Sequence, residues 1–199
     1  MNGLLAGGHF SEQATVLFAA SEASRGIPMM VKAATLPDAY ADLDSALDAI
    51  VAGDHVEKAD DMYEYGLVKL LGAVWMAELA HRHPGSLRAI AVSPGMTGGT
   101  NAMAEMPQLM QTFMTWVAMP IMSLVGMAHD TGSSAGRYLR ALEDESLVNG
   151  GLYASPGTGV TGPLTLQSPT AQPLLEDEAF IHGVGRLMDR HAAPALAAE

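Results

Sequence analysis

The chain has 199 residues, of which 49% are hydrophobic and 16% charged, with 21 glycines and a net charge of −12. These values fit one globular domain spanning residues 1–199, with room for a real core, and not a disordered chain. The acidic balance argues against nucleic acid or anionic membrane as a partner, and with no cysteine, disulfides, thiolate catalysis and Cys-based zinc sites are excluded.

ATVLFAAS (14–21) is a continuous apolar run with β-branched members, the pattern of a strand buried on both faces of a parallel sheet. Residues 22–38, with Gly26, Pro28 and Pro37, read as loop, and 39–52 as a helix stopped by Gly53. Residues 61–83 form the longest helix candidate, capped by Asp60 or Asp61 and ended by Pro84 and Gly85. It is apolar on nearly all sides, which suits a helix held between a sheet and another layer. LRAIAVS (87–93) is a second buried strand, broken by Pro94 and Gly95. The Met-rich segment 103–126 reads as two helices bent at Pro120. The nearly charge-free stretch 113–128, which overlaps it, is shorter than the roughly 20 residues of a membrane span. A helix over 129–145 capped by Asp130 or Thr131, a short strand at 152–155, a loop over 156–173 and a helix over 175–191 complete the chain. The alternation of strands and helices predicts an α/β fold with a doubly wound parallel sheet of three strands.

The chemistry is concentrated at three places. Tyr65 and Lys69 are four apart on the longest helix and share a face. A free tyrosine titrates near pH 10, and a neighbouring ammonium draws that value toward neutrality, so the pair is a candidate acid–base couple. A surface lysine beside a half-buried tyrosine is the plain alternative. Ser21 lies at the carboxyl end of the first strand, and Ser93, Pro94 and Gly95 at that of the second. Ligands of open parallel sheets bind at those ends. Taken singly, Ser21 reads as a cap and the Pro-Gly pair as an ordinary turn. His81 and His83, two apart, do not share a helix face and make no metal pair.

VLFAASEASRG (16–26), YGLVK (65–69) and LRAIAVSPGMTGGT (87–100) resemble the C-terminal half of the short-chain dehydrogenase/reductase family. SSAGRYLRALEDESLVNGGLYASPG (133–157) is similar to its retinol-dehydrogenase-like branch. The resemblance runs from about residue 14 to 190 and implies a partial Rossmann-like fold. It also implies a hydride transfer between NAD or NADP and a lipophilic alcohol or carbonyl compound, in a cytoplasmic protein. Tyr65 then serves as acid–base group, Ser21 binds the reacting oxygen, and Lys69 holds the nicotinamide ribose. Pro94, Gly95, Met96 and Thr97 meet the nicotinamide amide. Ala19 and Ala20 stand where the family often has another serine, and Gly99, followed by Thr100, stands where it commonly has threonine.

A larger departure is the missing glycine-rich turn T-G-x-x-x-G-x-G, through which the family's backbone approaches the dinucleotide phosphates. GLLAGGH (3–9) follows no strand and is not that turn. The expectation is therefore an N-terminally incomplete member of the family, with a non-catalytic binding or scaffold protein as the alternative. Its first strand would be a bare apolar edge prone to self-association or homo-oligomerisation. The Met-rich segment reads equally well as a lid over a lipophilic substrate or as a core helix.

Overall fold

The computed structural model describes residues 14–36, 42–54, 61–97, 128–167 and 172–196. Strand β1 (Ala14–Ala19) is followed by a 3-10 turn (Glu22–Arg25), helix α1 (Leu43–Ala52) and the long helix α2 (Asp61–Arg82). Strand β2 (Leu87–Val92), helix α3 (Thr131–Glu143) and strands β3 (Leu152–Ala154) and β4 (Thr165–Leu166) come next, then helix α4 (Glu178–Leu196). The result is an α/β fold on an open, mostly parallel sheet in the order β1-β2-β3-β4. β1 and β3 both run parallel to β2, and β4 is antiparallel to β3. All of the proposed lid segment 103–128 except Ala128 lies outside the described residues, as do Asp60, Gly99 and Thr100.

Local chemistry sets the helix ends. The Asp42 carboxylate accepts from Ser45 N–H at 2.8 Å and starts α1; Gly53, at φ 78°, ends it in the left-handed conformation. Asp130 does the same for α3 through Ser133 N–H at 3.0 Å. Asp177 caps α4 through Phe180 N–H at 2.9 Å.

Side chains alternate across the sheet and build a core on each face. On one face Phe18 fits into the notch left by Gly72 of α2, where a Cβ would come within 2.1 Å of the ring. Met76, Leu79, Ala89 and Ala91 continue that layer. The other side of α2, through Leu67, Leu70, Leu71 and Val74, packs on Leu47 of α1 and Phe180 and Val184 of α4. Each such buried side chain contributes about 1.5–3 kcal/mol of transfer free energy. α3 covers the opposite face, where Ala141 meets Ile90, Val92 and Tyr153. From Leu70 onward helix α2 is thus sandwiched between sheet and helices, while Met62, Tyr65 and Val68 near its start stay exposed. Its one deeply buried charge, Glu78, is held by Arg82 at 2.7 Å and His182 at 2.8 Å.

Two expectations need correction. The run 14–21 reads as a strand buried on both faces, but Ala14 to Phe18 are only partly buried and Ala19 is exposed. Among the described strands β1 pairs only with β2, so one edge lacks a neighbour. The segment 156–173 is not all loop. Thr165 and Leu166 form β4, a pair too short to show a period in sequence, registered by Tyr153 against Leu166 and Ala154 against Thr165.

Candidate active site

Ser21 follows β1 and caps the 3-10 turn. Its Oγ accepts from Ala23 N–H at 3.2 Å, and its carbonyl accepts from Ser24 Oγ at 2.6 Å. The turn packs directly on α2 at Gly66, where a Cβ would lie 2.8 Å from Ala23 O. Only glycine permits that approach. Tyr65 and Lys69 flank it, so the turn begun by Ser21 and the helix carrying the pair are in backbone contact.

The tyrosine and lysine share a face, as their spacing requires. Lys69 Nζ lies 5.7 Å from the Tyr65 ring centroid and 5.3 Å from that of Phe18. It donates to Ala19 O at 2.8 Å. In a parallel ladder alternate residues bond the same neighbour. Ala20 N–H bonds Val92 O at 2.9 Å, so Thr15, Leu17 and Ala19 direct their backbone groups away from β2. Lys69 therefore occupies the last carbonyl of the open edge. An ammonium has three donors, so two remain for a ligand. Tyr65 is 44% exposed, and its hydroxyl has no hydrogen-bond partner among the described residues. Tyr138 of α3 lies within its electrostatic reach. Burial, and then the Tyr65 charge, push the Tyr138 hydroxyl above its ordinary range.

The loop after β2 is held from within. Gly95 has φ 78° and receives support from Ser93 Oγ, which accepts its N–H at 3.1 Å. Met96 N–H donates to Val160 O at 2.8 Å, and Met96 O accepts from His129 N–H at 2.7 Å. The Thr97 hydroxyl donates to Gly95 O at 3.2 Å and lies 2.7 Å from Ser134 Oγ. Pro94 is partly buried and leads into the turn. A nicotinamide amide at Met96 would have to displace Val160 from its N–H.

Sequence reading missed a buried polar cluster beneath this loop. Glu22 is 3% exposed, and its Oε1 accepts from Ser93 Oγ at 3.1 Å, Ser155 N–H at 2.9 Å and Ser155 Oγ at 2.8 Å. Its Oε2 pairs with Arg25 at 2.7 Å, and Arg137 stands 3.7 Å from Oε1. One carboxylate thus ties together the carboxyl ends of β1, β2 and β3. His129 Nε2 accepts from Gly162 N–H at 2.9 Å, which requires the neutral ring. Burial first, then Arg137, lower its pKa below the usual value, against Asp130 and Glu22. One signal was present: Ser134, Arg137 and Ala141 have one-face spacing, and Ala141 marks that face as buried.

No family model matches the chain, and no curated protein matches it. No helix among the described residues is long and apolar enough to cross a membrane. A cleft of about 310 Å³ lies at the amino end of β3, lined in part by Ala77, His81, Asn149 and Gln167, far along α2 from Tyr65.

Proposed function

We propose that the chain carries the substrate half of an NAD(P)-dependent oxidoreductase of the short-chain dehydrogenase/reductase type, with a partial Rossmann-like sheet. Supporting this reading is one observation above the others: Lys69 sits beside the Tyr65 ring at the end of β1, on a helix pressed through Gly66 against the Ser21 turn. The motif order and the position at the strand ends agree with it.

In this reading Tyr65, with its hydroxyl uncommitted and exposed, exchanges a proton with the oxygen of a carbonyl or alcohol substrate. Ser21 Oγ donates its proton to that oxygen while still accepting from Ala23 N–H. Lys69, beside the Tyr65 ring, offers its two remaining donors to ribose hydroxyls. The nicotinamide supplies the hydride when bound. The fit is partial. The sequence holds no glycine-rich phosphate turn, and Met96 N–H is already taken. The residues present therefore suit the nicotinamide end of the cofactor and not its phosphates. A non-catalytic binding protein of the same fold is the second reading, favoured by the internally satisfied Met96 loop.

Turnover of NADH and NADPH with a panel of lipophilic ketones tests the proposal. The wild-type chain should reduce one of the ketones measurably as NADH or NADPH is oxidised, and Tyr65→Phe should lower the rate by about 10²-fold or more, the usual worth of a general acid. Tyr63→Phe, whose hydroxyl donates to Thr35 O at 3.3 Å away from the site, should leave it nearly unchanged. Equal effects of the two swaps, or no turnover with any ketone, would overturn the reading.

A further inference from the structure

We propose that the buried cluster around Arg137 is a binding site for an oxyanion, the carboxylate or phosphate group of a ligand, at the carboxyl ends of β1, β2 and β3. This inference stands apart from the hydride-transfer reading and requires no nicotinamide.

The cluster is unbalanced. Among the described residues, Arg25 and Arg137, 5% and 6% exposed, face one buried carboxylate, that of Glu22. Asp130, the next carboxylate, is solvent-facing and committed to Ser133. Two guanidiniums against one carboxylate leave one excess positive charge in a site nearly closed to water. Buried charges persist where they are paired.

The free donors have the right arrangement. Arg137 directs Nη1 to Ser155 Oγ at 3.2 Å and toward Glu22. Its Nε and Nη2 are buried and have no hydrogen-bond partner among the described residues. Nε–H and the adjacent Nη2–H form the side-on fork of a guanidinium, which matches two oxygens of a carboxylate or phosphate. Arg25 Nε and His129 Nδ1 are likewise buried without a partner. No lysine could replace that fork, since an ammonium is a point donor.

The cover over the cluster is a glycine-rich loop. Residues 156–163 touch it at two points, where Gly159 O accepts from Arg25 and Gly162 N–H donates to His129, and Val160 O accepts from Met96 N–H in the neighbouring loop. Gly157 and Gly162 hold φ of 58° and 118°, values that glycine adopts without strain. Swinging it aside opens the strand ends, where ligands of parallel sheets enter.

The test uses the full chain. Arginine Nε–H resonances are followed by NMR while sodium acetate or sodium phosphate is titrated, each against sodium chloride at matched ionic strength, with thermal unfolding measured in parallel. A slowly exchanging Nε–H signal, absent in Arg137→Lys, should shift saturably with acetate or phosphate and not with chloride. At an anion concentration a hundred times its Kd, the folding equilibrium constant should rise roughly 100-fold. A response to acetate alone assigns the site to carboxylates, and one to phosphate alone to phosphoryl groups. If Arg137→Lys does not fold, the wild-type titration decides by itself. Slowly exchanging Nε–H signals that ignore both anions, or that follow chloride equally, overturn the proposal.

Discussion

Lys69 donates to the carbonyl of Ala19 at 2.8 Å, on the side of β1 that has no neighbour among the described strands. The same ammonium lies over Phe18 and Tyr65, so one side chain links strand end, core and candidate acid–base group. Replacing it by methionine removes the bond but keeps the length. Stability should fall by about 1 kcal/mol, the typical net worth of one hydrogen bond. The freed edge should also self-associate more readily. Urea unfolding and light scattering of Lys69→Met against wild type check both; unchanged scattering would show that the edge needs no guard.

Gly95 and Gly136 make opposite predictions for the same substitution. Gly95→Ala places a Cβ at positive φ, 2.5 Å from Arg137 Nη1 and 2.9 Å from Val160 O. Strain and overpacking together should cost about 2–4 kcal/mol. Gly136, exposed in α3 with nothing within 4 Å of a Cβ, should gain about 0.5–1 kcal/mol as alanine. Chemical denaturation of the two variants measures the contrast.

Glu22→Ala should be among the most damaging single changes. It leaves Arg25 and Arg137 buried without their carboxylate and Ser155 N–H without its acceptor. Breaking a buried pair from one side costs about 3–5 kcal/mol. Glu22→Gln keeps an acceptor for Ser93 and Ser155 and should fall less far. Urea midpoints at constant m-value test this, and a loss below about 1 kcal/mol, the scale of a surface pair, would refute it.

His129 makes stability pH-dependent in a defined direction. Its folded-state pKa is lowered from 6.5 by burial and Arg137. The unfolded chain therefore binds more protons between the two values, and stability rises with pH there. The contribution is complete above 6.5 and is lost as pH falls through that value toward the lowered one. His129→Gln should flatten this part of the profile relative to wild type, as read from unfolding midpoints between pH 5 and 8, the range in which histidine titrates. Parallel profiles for the two proteins would exclude His129 as the source.

A calorimetric titration addresses the cofactor. Losing even two charge-assisted hydrogen bonds to phosphate, each about 1.5–3 kcal/mol, weakens binding by roughly a hundredfold or more. NADH and nicotinamide mononucleotide should therefore bind with similar, weak affinity. A micromolar Kd for NADH alone would reveal a phosphate site in this chain.

Much of the scaffold was legible in the residues themselves, because its signals are local. Continuous apolar runs marked β1 and β2, and Gly53 and Asp130 marked helix ends through bonds within four residues of themselves. The face shared by Tyr65 and Lys69 follows from helix pitch alone. What no local pattern encodes is which charges meet. Arg25, Glu22 and Arg137 read as ordinary loop and helix polar residues, yet they are buried together. They converge because β1, β2 and β3 run parallel and end on the same side, bringing Glu22 against Ser93 and Ser155, 71 and 133 residues away in the chain. The partial exposure of β1 was decided in the same way: its sequence is apolar on both faces, but burial depends on how many neighbours the assembled sheet provides, and pairing with β2 covers only one edge.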